Sequence, residues 1–247
     1  MPKLFNKFTN KRGLIVFGGE ASTDYGIVVS EAPSFDKPAR KRTVFNVPGR
    51  NGSVLFQEDA FDDVTRSYRA WIADYDKVDL VQAVNAFTGM LYSKKGYQRL
   101  EDSFEPDTFR LAYFNGGQDI SNEMMQYGET TISFVCRPER FYKDGEKEIE
   151  ITNGDSIHNY TNYASSPLIY IEGYGPVEIS IQGQTITAEL DDYIHIDCER
   201  MNAYRTPSEN KNADISGVFP KILPGTNGIA ITGTTTKVTI KPRYFTV

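Results

Sequence analysis

The sequence predicts a mainly β protein: an N-terminal β-sandwich-like domain carrying one α-helix, followed by a C-terminal β-sandwich. Three observations predict it. The chain holds 15 Phe and 15 Tyr, residues that suit pleated, half-buried surfaces. Short apolar runs bounded by Gly, Asn, Asp or Pro recur at intervals of about ten residues through the second half, the rhythm of sandwiches and jelly rolls. Helical periodicity occurs in one segment alone. The 247 residues suffice for two ordinary domains, and 39% hydrophobic with 24% charged residues is the composition of a folded chain.

Leu14 to Phe17 and Gly26 to Ser30 read as strands separated by the turn signals Gly18-Gly19 and Ser22-Thr23-Asp24. Arg42 to Val47 and Ser53 to Phe56 flank Pro48-Gly49-Arg50-Asn51-Gly52, where glycine and asparagine accept the positive φ of a tight reversal. A long hairpin follows from that. From Asp63 to Asp74, Val64, Arg66, Tyr68, Ala70 and Ile72 alternate with Thr65, Ser67, Arg69, Trp71 and Ala73, which predicts a strand despite imperfect polarity. Leu80, Val84, Phe87 and Leu91 then recur at steps of four, three and four on one helical face. Asp79 and Gln82 form a capping box, and Lys94, Lys95 and Gly96 give a dipole-matched end, so the helix is expected over 79–93.

Strands are expected at Tyr97–Leu100, Phe109–Phe114 and Thr130–Cys136, with a loop from Asn115 to Asn122. Arg137 to Glu146 turns polar and is taken as the boundary, giving domains over 1–140 and 146–247. Strands of the second domain are expected at Glu148–Thr152, Leu168–Glu172, Val177–Gln182, Gln184–Ala188, Tyr193–Cys198, Ala203–Arg205, Gly228–Thr232 and Lys237–Pro242.

Chemistry is sparse. The formal net charge is −6, and the basic residues cluster only at Lys3, Lys7, Lys11 and Arg12 and from Lys37 to Arg42. That disfavours specific nucleic-acid binding. Cys136 and Cys198 sit in apolar runs and read as small core residues rather than a disulfide. Of the two histidines, His195 lies between Ile194 and Ile196 on a strand, packed or surface-facing, and His158 in a polar loop from Asn153 to Tyr163. Asp191-Asp192 read as a turn, with Asp197 and Glu199 on the solvent side. Gly-x-Ser-x-Gly, Cys-x-x-Cys, His-x-x-x-His and phosphate-loop patterns do not occur, so no catalytic residue, cofactor or metal is assigned. No run approaches the ~20 apolar residues of a membrane span.

The order of features resembles the siphophage distal tail (Dit) family. Phe17-Gly18-Gly19, the segment Ser22 to Val29, the turn Val47 to Gly52, the single helix and Ile132 to Pro138 follow that family's first domain. Asn162 to Pro167 with Ile169 to Gly173, Tyr193 to Glu199 and Leu223 to Asn227 resemble its second. The chain departs from the family in the basic content of Met1 to Arg12. The resemblance implies a non-enzymatic virion protein, made in the host cytoplasm, that forms a hexameric ring through its first domain. It implies a ring that joins tail tube to tail tip or baseplate and leaves a lumen through which DNA passes unbound. Tail tube protein, tail hub or tail-associated lysin, and receptor-binding protein are the implied partners. A galectin-like or carbohydrate-module-like sandwich is implied for the second domain.

Ring closure needs a projection that fits a neighbour's recess. The hairpin supplies it, with Val47, Pro48, Gly49, Arg50, Asn51 and Gly52 as candidate contacts. The alternative function is carbohydrate binding for attachment to host cell-wall polysaccharide, with Tyr160, Tyr163, Tyr174 and Tyr204 as candidate glycan contacts.

Overall fold

The computed structural model describes residues 13–34, 37–72, 77–116 and 128–247, the side chains of 77–80 excepted. The cluster Lys3, Lys7, Lys11 and Arg12, the strand end at Ala73 and Asp74, the Asp79 side chain of the capping box and loop residues Gly117 to Asn122 lie outside them. The chain divides into two compact units, the first ending at Arg140 and the second spanning Phe141–Thr246.

The strands of the first unit are β1 (Ile15–Phe17), β2 (Glu20–Ala21), β3 (Ile27–Val29), β4 (Arg40–Phe45), β5 (Val54–Phe61), β6 (Val64–Ile72), β7 (Gln98–Asp102), β8 (Thr108–Phe114) and β9 (Glu129–Tyr142). Seven of them form a sheet in the order β2-β1-β7-β8-β9-β6-β3, while β4 and β5 pair as a separate two-stranded ribbon. Helix α1 (Lys77–Ser93) packs Val84, Phe87 and Leu91 into the same core as Ile15, Phe17, Ile132 and Phe134. The apolar stripe legible in sequence is therefore the buried face. Lys94 lies just past the helix, where its ammonium pairs with Glu20 at 2.6 Å rather than serving the last turn, and Gly96 at φ +66° ends the segment.

The imperfect alternation of β6 has a physical cause. Val64, Arg66, Tyr68, Ala70 and Ile72 are all buried, and the polar member is neutralised in place. Arg66 is 3% exposed and pairs with Asp102 at 3.0 Å and Glu105 at 2.9 Å, while its Nε donates to the Tyr68 hydroxyl at 2.9 Å. Arg137 likewise does not break the strand pattern as expected. β9 continues to Tyr142, with Arg137 and Glu139 paired at 3.3 Å, and a 3-10 turn follows over Lys143–Glu146. Charges matched along a strand look like a linker when read one at a time.

The second unit holds β10 (Ile149–Glu150), β11 (Ser156–Asn159), β12 (Leu168–Ile181), β13 (Gln184–Leu190), β14 (Tyr193–Asp197), β15 (Asn202–Tyr204), β16 (Ile215–Gly217), β17 (Gly225–Lys241) and β18 (Phe245–Thr246). Four expected strands are two long ones. Leu168–Glu172 and Val177–Gln182 join as β12, and Gly228–Thr232 and Lys237–Pro242 join as β17. The two pair along their lengths with register shifts around Gly173 and Tyr174. A Cβ on Gly173 would meet the Thr234 carbonyl oxygen at 2.3 Å, and one on Gly233, at φ +102°, the Pro176 oxygen at 2.4 Å. These glycines mark where two strands bend past each other, not where strands end.

That bend makes two layers from one ladder. The N-terminal half of β12 lies between β14 and the C-terminal half of β17, extended by β15 and β10. Its C-terminal half pairs with β13, then β16, and with the N-terminal half of β17, which also carries β11. Ile169, Ile171, Ile194 and Ile240 from the first layer share one core with Ile179, Ile186, Ile229 and Ile231 from the second. The sandwich is an alternation rule applied twice.

Candidate functional site

The first unit has a surface that breaks the rule that apolar side chains find cover. In the β4–β5 ribbon Val44 faces Leu55, Thr43 faces Phe56 and Phe45 faces Val54. Directly paired residues project from one side of a ribbon, so Val44 and Leu55 share one face and Phe45, Val54 and Phe56 the other. Val44, Phe45, Leu55 and Phe56 are 54, 52, 52 and 61% exposed. Phe45 and Phe56 touch edge to face at 5.7 Å. At its base Arg40 lies over the Phe61 ring at 4.5 Å and pairs with Asp59 at 3.3 Å.

The turn is built for sharp reversal: Gly49 and Gly52 both have φ +79°, the Arg50 N–H donates to the Val47 oxygen at 3.2 Å, and Ser53 Oγ donates to Asn46 Oδ1 at 2.6 Å. Of the candidate contacts Val47, Pro48, Gly49, Arg50, Asn51 and Gly52, all are exposed, and Val47 is the apolar one that adjoins the stem. The sequence singles out the hairpin and names contacts at its tip; the large exposed apolar side chains Val44, Phe45, Leu55 and Phe56 stand on its stem. The signal was present: apolar residues adjacent at 44–45 and 54–56 put grease on both faces of a strand, which alternation forbids for a surface ribbon.

The four tyrosines proposed for glycan contact fall in different settings. Tyr160 donates to Asp144 at 2.7 Å and packs against the rings of Tyr142 and Tyr244, and burial together with Asp144 pushes its hydroxyl up. Tyr163 stacks on Phe245 at 5.5 Å. Tyr174 stands 68% exposed at the bend of β12. Tyr204 stacks on His195 at 5.2 Å, with the rings 19° apart, so that histidine is part of an aromatic row. His158 is on β11 rather than in a loop, its Nδ1 3.2 Å from Thr226 Oγ1.

Asp197 is also corrected. It is 3% exposed, not on the solvent side, because Arg243 grips it through Nη1 at 2.6 Å and Nη2 at 3.2 Å, and its Oδ1 accepts from the N–H groups of Glu199 and Arg200. Burial alone would raise this carboxyl, but the Arg243 hydrogen bond and charge outweigh it and hold it below its ordinary value. The two cysteines are free and lie in separate cores, with burial pushing Cys136 up to about 11 and Cys198 to about 12. Both are unreactive thiols near neutral pH. Among the described residues no group of three or more His, Cys, Asp or Glu side chains is arranged to hold a metal ion, and no helix is long and apolar enough to cross a membrane.

Residues 22–136 match the family model of the phage tail protein RIFT-related domain. That match falls inside the first unit. Over the whole chain the fold is similar to the Dit protein of phage SPP1, described as a paradigm of the hub adsorption apparatus in Gram-positive-infecting phages. That match has a TM-score of 0.72 at 13% identity and covers 95% of this chain and 99% of that one. Two chains of the phage P2 baseplate in its activated conformation are also similar. The calcium form has a TM-score of 0.52 at 10% identity, covering 93% of this chain and 96% of that one. The strontium form has a TM-score of 0.51 at 10% identity, covering 92% and 96%. No curated protein matches the chain. The family match thus lies within residues 22–136, while the likeness over the whole chain is one of fold.

Proposed function

We propose that the chain is a ring-forming adaptor of a long, non-contractile phage tail. Six copies surround a channel through which DNA passes without specific binding, and the ring joins the tail tube to the tail tip or baseplate. Residues 1–140 form the ring, while 146–247 make a galectin-like outer scaffold for neighbours such as a tail hub, a tail-associated lysin or a receptor-binding protein. The protein is non-enzymatic, made in the host cytoplasm and built into the virion.

The observation that carries this proposal is the ribbon with two uncovered apolar faces. An isolated two-stranded hairpin is marginal in water, and a contiguous exposed apolar surface marks a protein contact. One covered face would suit packing against a single partner surface. Two faces suit an arm inserted between surfaces, which is the geometry of a heterologous contact that closes a ring. Burying four half-exposed side chains contributes about 1 kcal/mol each, a share of an interface that the rest of the unit must complete. The SPP1 relative is described as part of a hub, which supports an axial position.

Negative-stain imaging of the purified chain tests it: six-fold annuli with an open centre are expected. A strictly monomeric species at concentrations of about 100 μM would overturn it.

A further inference from the structure

On the outer face of one layer of the second unit, strand register assembles a row across five strands. Tyr204 on β15 faces His195 on β14, His195 faces Tyr170 on β12, Tyr170 faces Thr239 on β17, and Thr239 faces Glu150 on β10. The alternate residues Ile169, Ile171, Ile194, Ile196, Val238 and Ile240 fill the core, so the row points outward. Its first three members are rings in contact: His195 lies 5.2 Å from Tyr204 and 5.1 Å from Tyr170. The fourth is a threonine, too short to continue the stack. A pocket of about 240 Å³ opens at that notch.

Thr239, 5% exposed, is the floor. Tyr170 and His195 line one side, and Lys237 and Lys241 lie two residues to either side of Thr239 on β17. Glu172 accepts from the Tyr170 hydroxyl at 3.1 Å, and Glu148 pairs with Lys241 at 3.2 Å. Burial, supported by Lys241, lowers the His195 pKa, so its imidazole is neutral near pH 7 and both donates and accepts. The lining thus joins an aromatic wall to two carboxylates and two ammoniums whose charges sum to zero.

We propose that this pocket is a subsite for one ring of a neutral saccharide. A sugar offers an apolar face to the Tyr170 wall and hydroxyls that donate to Glu148 and Glu172 and accept from Lys237 and Lys241. A polyanion would bring its phosphates against the two carboxylates, and an apolar ligand would leave four charged groups desolvated. The volume is below the ~300–1,000 Å³ of sites that enclose drug-sized ligands, which fits one ring rather than an extended chain segment. The site is not the one expected from sequence: only Tyr204 of the four candidate tyrosines belongs to the row. It does not depend on ring formation.

The test titrates the full-length chain with chitobiose, lactose and maltose, and separately with poly(glycerol phosphate), by saturation-transfer NMR and calorimetry. Saturable binding of at least one disaccharide is expected, with no saturable binding of the polymer. Thr239→Ile, which fills the notch, and Glu172→Gln, which removes a charged acceptor, should each weaken that binding at least tenfold without changing Tm. Tyr170→Ala should abolish it; if that variant does not fold, the other two decide. Failure of all three disaccharides to bind, preference for the polymer, or binding indifferent to Thr239→Ile and Glu172→Gln would overturn the proposal. Particle mass measured on the same samples keeps the ring a separate result.

Discussion

The β4–β5 ribbon and the β12–β17 ladder start from the same material and end in opposite states. Both are antiparallel pairs rich in β-branched and aromatic side chains. In the ladder, Ile169, Ile171, Ile179 and Ile181 point to one side, are at most 1% exposed, and have a second layer over them. The opposite side carries Tyr170, Glu172 and Glu178, groups suited to water. In the ribbon, apolar groups stand half-exposed on both sides, with no second layer over them among the described residues. The difference teaches that one pair has its partner layer inside the chain, while the other, on the proposal above, receives it from a neighbouring copy.

The largest expected effect lies in the closed region. Asp197→Ala removes the bidentate partner of Arg243, which among the described residues keeps only Glu199 at 3.5 Å, and should cost about 3 kcal/mol in denaturant unfolding. The pH dependence follows from the lowered folded-state pKa. This contribution is complete above the unfolded carboxylate value of about 3.9 and is lost as pH falls through the lower folded value. Wild type and variant should therefore converge in stability as pH falls below the unfolded carboxylate value and through the lower folded one. An undiminished gap there would show that the loss is packing, not charge.

Next comes the open region. Phe45→Ser with Phe56→Ser should leave unfolding of the monomer within about 0.5 kcal/mol of wild type, because both rings already face solvent. The same change should weaken ring association by about 2–3 kcal/mol per interface, or roughly 30- to 150-fold, as read by sedimentation. A large loss of monomer stability would erase the contrast between the two regions. Val44→Ser with Leu55→Ser sharpens it further: if both faces are covered in the ring, this pair should weaken association by a similar factor. Smallest of all, Arg40→Ala removes an ion pair with a fully exposed Asp59 and should change unfolding by less than about 1 kcal/mol.

What could be read in the sequence follows the range of the interactions concerned. The helix face at Val84, Phe87 and Leu91 and the turn at Pro48 to Gly52 are local patterns, and both emerged at the expected positions. Gly173 and Gly233 misled because a glycine that ends a strand and one that lets two strands cross look alike until the partner is known. Arg66 blurred the alternation of a strand that was still legible, and Asp197 was misplaced, for the same reason: their neutralising partners, Asp102 and Arg243, lie 36 and 46 residues away. The pocket is wholly a product of register, since Tyr170, His195 and Thr239 sit on three strands. The outward positions of each strand were legible by alternation, but not which strands would stand side by side.

Hydrogen exchange across a concentration series tests the arm most directly. Amides of β4 and β5 should exchange quickly in dilute monomer and become protected in step with ring mass as concentration rises, while those of β12 and β17 stay protected throughout. Rings that assemble with Arg40–Phe45 and Val54–Phe61 still exchanging at the monomer rate would contradict an arm buried between neighbouring copies.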